Sequence, residues 1–105
     1  MAKLEGNSPV ANTPNHSIEY HIGGFRGSES VLRKVTLNFP AGQLADLRQR
    51  LKSTVTISVN INAWFNSTNP IRISQTPAIM TPGSVAAQIA DNYSKMFTVA
   101  GIVNE

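Results

Sequence analysis

The stretch STVTISVNINAWFNSTNP, residues 53–70, carries the clearest structural pattern in the chain. Apolar residues occupy the odd positions from 55 to 65, and the even positions hold Thr54, Thr56, Ser58, Asn60, Asn62 and Trp64. Side chains of a strand point alternately to opposite faces, so this pattern predicts a strand with one apolar face and one uncharged polar face. We expect the odd-numbered residues to lie in the core and the polar row to contact a partner. Trp64 at its end either joins that contact or is turned inward by a bulge near Asn66.

The sequence around this strand predicts further strands and two helices. Residues 17–25 alternate and precede a Gly-rich turn, and residues 30–39 form a second alternating run that Pro40 ends. Leu44, Leu47 and Leu51 have helical spacing in 41–52, and residues 71–75 are predicted as a short return strand. Thr81 and Pro82 are suited to begin a last helix of about 16–18 residues.

The predicted fold class is therefore α+β, in the order β-β-α-β-β-α. It has an antiparallel sheet of about four or more strands, with helices packed on one face. Residues 1–16 contain two prolines and little apolar content, which predicts a flexible N-terminal arm. Residues 17–105 then form a single domain.

The composition bounds the chemistry that the chain can carry. Its 105 residues contain no Cys, which excludes disulfides and thiolate chemistry. His16 and His21 are the only imidazoles; Glu19 shares a strand face with His21, but this falls short of a metal ligand set. We therefore expect no enzyme activity, no cofactor and no metal.

The first residues lack the apolar core of a secretory signal, so a cytoplasmic or virion location is expected, with no membrane partner.

Charge is sparse and unevenly placed. Charged residues make up 14% of the chain, whereas about 25% is usual. The segment from Arg26 to Arg72 holds seven basic and two acidic residues, and a basic centre suits a polyanion. The predicted nucleic-acid contacts are the basic side chains, the polar row of the strand and Trp64 as a stacking ring: Arg33, Lys34, Arg48, Arg50, Lys52, Thr54, Thr56, Ser58, Asn60, Asn62, Trp64 and Arg72. A solvated basic face without a ligand is the alternative.

Three segments resemble the coat proteins of single-stranded RNA bacteriophages. They are MAKLE at the start of the chain, RKVTLNF at 33–39 and TVTISVNI at 54–61, together with an amphipathic C-terminal helix. In that family a sheet continues across a dimer and its inner face binds the genomic RNA hairpin. The resemblance implies that the polar row of 54–62 faces RNA.

The function hypothesis is accordingly a structural protein that self-assembles, namely a small viral coat protein that contacts nucleic acid. Its expected partners are other copies of itself, as a homodimer or larger assembly, and RNA. The alternative is a small phage- or plasmid-encoded inhibitor or adaptor that binds one protein partner and no nucleic acid.

Overall fold

The computed structural model describes residues 1–48 and 51–105. The described chain contains five strands and one α-helix, in the order β1 Ala2–Asn7, β2 Ser17–Ile22, β3 Ser53–Val59, β4 Ala78–Ile79, α1 Ser84–Tyr93 and β5 Phe97–Asn104. Three short 3₁₀ helices lie at Pro14–His16, Gly27–Glu29 and Ile61–Trp64. No helix among the described residues combines the length and apolarity needed to cross a membrane.

The first sheet is three-stranded, in the order β1-β2-β4. β1 pairs antiparallel with β2, from Ala2 opposite Ile22 to Asn7 opposite Ser17. β4 adds to the other edge of β2 as a two-residue parallel strand. Because side chains alternate along β2, Ile18, Tyr20 and Ile22 are buried on one face, and the other face is left to polar residues.

The core lies between this sheet and α1. Ile89 and Ala90 of the helix are fully buried and belong to the same cluster as Tyr20, Ile22 and Trp64. The Tyr20 hydroxyl donates a 2.5 Å hydrogen bond to the Thr76 carbonyl, which ties β2 to the loop before β4. Burial raises the pKa of Tyr20, so this hydroxyl stays a donor across the ordinary pH range.

A buried amide fastens the loop after Trp64 to α1. Asn92 is completely buried, and its Nδ2 donates to the carbonyls of Trp64, at 2.9 Å, and Asn69, at 2.6 Å. The Asn69 backbone N–H donates back to Oδ1 of Asn92 at 2.8 Å. Both the nitrogen and the oxygen of the amide are thus hydrogen-bonded, which is the condition under which a polar group is tolerated in a core.

The second sheet consists of β3 and β5, paired antiparallel with a bulge between Thr56 and Ile57. Paired residues share a face, so the register defines two faces. The apolar face of the second sheet consists of Val55, Ile57, Val59, Phe97, Val99 and Ile102. The opposite face carries Thr54, Thr56, Ser58, Thr98 and Val103.

The prediction of an α+β fold with helices on one sheet is wrong, because the chain is mostly β, with two small sheets and one short helix in the described part. Strand 17–22 and a strand beginning at Ser53 are present. Residues 30–39 are not a strand: Val31 N–H bonds to the Gly24 carbonyl, and Tyr93 Oη donates to the Val31 carbonyl at 3.2 Å. The segment is therefore held by isolated hydrogen bonds and not by the regular backbone pairing of a strand.

The helix predicted over 41–52 is also wrong where the structure describes it, since residues 41–48 carry no helix; Gln49 and Arg50 lie outside the described residues. Leu44 and Leu47 are 76% and 85% exposed, so the leucine stripe has no core to pack against. A helix of three turns depends on such packing. The return strand 71–75 is a turn, in which the N–H groups of Gln75 and Thr76 both bond to the Arg72 carbonyl.

The last helix is shorter than predicted, and its expected C-terminal part is β5. Helix α1 ends at Tyr93, and the chain then pairs with β3 from Phe97 onward. The β-branched side chains of this segment suit a strand, and β3 needs a neighbour for its backbone groups. Likewise, the segment predicted as an arm contains β1, which completes the first sheet.

Candidate functional site

Charged side chains collect on the exposed face of the β1–β2 pair. The alternation that turns Leu4 and Tyr20 to one side places Lys3, Glu5, Glu19 and His21 on the other. The antiparallel register sets Lys3 directly opposite His21 and Glu5 directly opposite Glu19. Strand pairing therefore makes cross-strand neighbours of residues that are well separated in sequence.

Glu5 is the centre of this cluster. His21 Nε2 donates to Glu5 Oε1 at 2.6 Å, and Lys3 Nζ lies 3.0 Å from the same oxygen. The hydrogen bond from His21, and then that from Lys3, lowers the pKa of the Glu5 carboxyl below its usual 4.5. Since the Lys3 and Glu5 side chains are about half exposed, solvent screens these attractions, and the cluster adds little to folding stability.

The donor set of this cluster is too small for a metal site. In residues 1–48 and 51–105 no three His, Cys, Asp or Glu side chains converge as a metal site would require. His21 and Glu5 supply one imidazole and one carboxylate, and the Lys3 ammonium competes with any metal cation for Glu5 Oε1. These residues therefore do not fit a complete metal centre.

His16 stands apart from this cluster. Its Nδ1 donates to the Ala11 carbonyl at 2.9 Å and its backbone adopts φ 54°, within the turn formed by the Pro14–His16 3₁₀ helix. The ring thus closes the connection between β1 and β2. The two histidines that flank Glu19 in the sequence have separate structural surroundings.

Arg33, a predicted nucleic-acid contact, is bound within the protein. Its Nε donates to Asp91 Oδ1 at 2.9 Å, and its Nη2 donates to the Ala87 carbonyl of α1 at 3.1 Å. Nη1 donates to the carbonyls of Ser30 and Leu32. These bonds hold segment 30–33 against α1 and use four of the five N–H donors that the guanidinium could offer to a phosphate.

The other predicted basic contacts lie at separate places in the chain. Arg48 forms an ion pair with Asp46 at 2.6 Å, and this pairing lowers the pKa of the Asp46 carboxyl. The side chains of Lys34, Lys52 and Arg72 are exposed, and Arg50 lies outside the described residues. Binding of RNA by these groups stays a prediction from charge alone.

Only some residues of the predicted polar row lie on one face of β3. Thr54, Thr56 and Ser58 share one exposed face, as the alternation predicts. The expectation that the odd-numbered residues lie in the core is wrong for β3, where Val55, Ile57 and Val59 are 39%, 50% and 46% exposed. The strand ends before Asn60, whose side chain accepts from the Asn62 N–H and caps the next 3₁₀ helix. This helix turns Trp64 inward, where it is 4% exposed and packs against Tyr93 with ring centroids 5.2 Å apart. The indole therefore belongs to the core and is not a surface stacking ring.

The Lys3–Glu5–His21 cluster was not found from the sequence. Its signal is the alternation of charged and apolar residues in AKLEGN, residues 2–7, which matches the alternation in SIEYHI, residues 17–22. The first of these runs is short and is followed by two prolines, so the sequence predicts an arm there. Only the pairing of the two strands shows that Glu5 and His21 meet.

Comparison with known proteins gives one family. The family model MbnP, for a methanobactin-related domain family associated with copper binding, matches residues 1–81. No curated protein and no solved structure matches the chain. The match overturns the resemblance to RNA-phage coat proteins and, with it, the hypothesis of a viral coat or phage-encoded function. Alternating Thr, Ser and Val residues occur in many exposed strands, so this pattern does not identify a coat protein.

Proposed function

Since the chain belongs to the MbnP family, we propose that it is a domain of a bacterial, periplasmic, copper-associated protein and that it acts as a binding scaffold. The observation that carries the scaffold role is the incomplete donor set of the charged cluster. This cluster supplies two candidate ligands and places a lysine beside them. The domain therefore contributes surface to a copper-handling protein without building a self-contained copper centre from its described residues.

Copper chemistry supports the scaffold role. Cu(I) prefers thiolate and thioether ligands, and Cu(II) prefers several imidazole and oxygen donors in tetragonal geometry. The chain has no Cys, and His16 uses Nδ1 in the turn after β1. Its thioethers are those of Met1 and Met80, which are exposed, and of Met96, which packs against the core. Tight coordination through His, Cys, Asp and Glu alone would need a cluster of three or more such donors, which the described residues do not form.

A second candidate is a weak surface contact between Cu(II) and the His21–Glu5 pair, with Glu19 as a neighbouring carboxylate. The register that places Glu19 opposite Glu5 favours it. The two candidates differ in affinity and in their dependence on His21, so one experiment separates them.

The test is a titration of the purified protein with Cu(II) and, under reducing conditions, with Cu(I), followed by calorimetry and by metal content after desalting. The scaffold proposal predicts no stoichiometric copper retained after desalting. Weak binding that is abolished in His21→Ala and kept in His16→Ala would support the second candidate. Retention of one copper per chain in both variants would show a complete centre and overturn the scaffold proposal.

A further inference from the structure

We propose that β1 pairs along its outer edge with β1 of a second copy of this chain, so that the first sheet continues across a two-fold dimer. The contact is independent of the copper-associated role. Three features of the strand support it: its open edge, the order of its charges and the single register in which those charges attract.

The outer edge of β1 is open in the single chain. β1 is the outermost strand in the order β1-β2-β4, and its backbone pairs with β2 on one side. In an antiparallel pair, every second residue turns its N–H and C=O away from the partner strand. No backbone group of the described chain outside β2 bonds to these groups. Half of the donors and acceptors of this six-residue strand are thus available to an added strand.

The residue order of β1 restricts the registers in which two copies can pair. Paired residues point to the same face, so a slip of one residue would set charged side chains beside the apolar ones. Two-fold pairing centred on Lys3 or on Glu5 would place that residue opposite its own copy, and like charges directly opposite are destabilising. Pairing centred on Leu4 instead sets Lys3 of each chain opposite Glu5 of the other. The charges of β1 are therefore self-complementary in this one register.

A second copy supplies the opposite charges that β2 does not place beside β1. Within the chain, the register sets Glu5 opposite Glu19 and Lys3 opposite His21. Glu5 thus has a carboxylate on its β2 side, and Lys3 of the second copy would lie on its other side. A two-fold axis repeats this arrangement in both chains and closes the assembly at two copies. Because opposite charges at cross-strand positions favour pairing, this order of charges favours another β1 over an uncharged strand.

The other face of the joined sheets brings Leu4 of the two copies together. Ala2 and Leu4 are half-buried beside the core cluster, and with Gly6 they put no charge on this face that would oppose the contact. One short strand from each chain buries less than the roughly 800 Å² that each partner contributes to a standard interface. We therefore expect a weak dimer, with a dissociation constant on the order of 100 µM.

The experiment is sedimentation equilibrium from about 10 µM to about 1 mM, with Lys3→Glu and Glu5→Lys alone and mixed in equal amounts. Each variant sets like charges opposite each other in its own dimer, so each should dimerise at least about tenfold more weakly than the natural chain. In the mixture, glutamates of one chain lie opposite lysines of the other, and heterodimers should form at least as tightly as the natural dimer. Lys34→Glu and Glu29→Lys, at exposed positions outside the first sheet, make the same changes of net charge and should dimerise like the natural chain.

Amide exchange of the natural chain, measured by NMR, keeps the proposal testable if a substitution disturbs the fold. The β1 amides that face away from β2 should exchange about fourfold more slowly at about 1 mM than at about 20 µM, because most chains are then paired. A natural chain that stays monomeric at the highest concentration would overturn the proposal. So would charge variants of β1 that dimerise like the natural chain, a mixture that forms no heterodimer, or slower exchange that is confined to other strands.

Discussion

Replacing the buried amide of Asn92 should be among the most costly single changes in the chain. Asn92→Ala removes three hydrogen bonds that join α1 to Trp64 and Asn69. It leaves the carbonyls of these two residues and the Asn69 N–H without their partner. At about 1–1.5 kcal/mol for each bond, the loss is about 3–5 kcal/mol. A native domain has only about 5–15 kcal/mol in total.

Asn92→Asp is a more specific test, because it keeps the shape of the side chain. One carboxylate oxygen still accepts from the Asn69 N–H, and the other faces two carbonyl oxygens where Nδ2 donated. The ionised form is therefore disfavoured in the folded state, and the folded-state pKa of Asp at this position is raised. The loss at pH 7 should be at least as large as that of Asn92→Ala. It should shrink as the pH falls toward about 4, since the neutral acid can donate one hydrogen bond.

Urea denaturation of each variant and of the natural chain at pH 7 and pH 4 provides the measurement. A loss of about 3–5 kcal/mol lowers the urea midpoint by about 2–3 M for a protein of this size. Asn12→Asp is the control, since Asn12 is exposed. The proposed role of the amide is refuted if Asn92→Asp costs no more than the control at pH 7, or if its cost does not decrease at pH 4.

Three other changes test the remaining contacts. Arg33→Ala should cost about 1–3 kcal/mol in urea denaturation, because it releases segment 30–33 from α1, whereas Lys34→Ala at the exposed neighbour should cost almost nothing. Ile89→Ala should cost about 2–5 kcal/mol and lower the melting temperature, since the side chain is fully buried. His21→Ala should raise the Glu5 pKa toward 4.5 in a carboxyl NMR titration, because the hydrogen bond from His21 lowers it. Since the folded pKa is lowered, the contribution of Glu5 to stability is present above pH 4.5 and is lost as the pH falls through the folded value. An unchanged Glu5 titration would contradict the role of His21.

Local sequence patterns predicted individual strands, but they did not show which segments pack against the core. The strands Ser53–Val59 and Ser17–Ile22 were both predicted from their alternation, because a helix, with its period of 3.6, does not alternate over six or seven residues. The Leu44–Leu51 spacing predicted a helix, yet residues 41–48 are not helical. A short amphipathic helix forms only where its apolar stripe meets a core, and spacing does not show whether one is there.

The candidate site depended on pairing even more strongly. Glu5 and His21 meet because β1 lies against β2 in one particular register, and a shift of one residue would move one strand's set of side chains to the wrong face. The sequence left open whether Trp64 ends an exposed row or turns inward. It is buried because Asn60 ends β3 and starts a 3₁₀ helix that rotates the next residues inward.

The sequence by itself determined the absence of cysteine chemistry, the sparse charge and the alternation of β2 and β3. These are properties of composition or of residues a few positions apart. Tertiary structure alone decided that residues 97–104 form a strand, that Arg33 binds α1 and that Lys3, Glu5 and His21 form one cluster. The reason is physical: backbone groups and charges are satisfied by whichever partners the folded chain brings within about 3 Å, and the Asp91 partner of Arg33 lies 58 residues away in sequence.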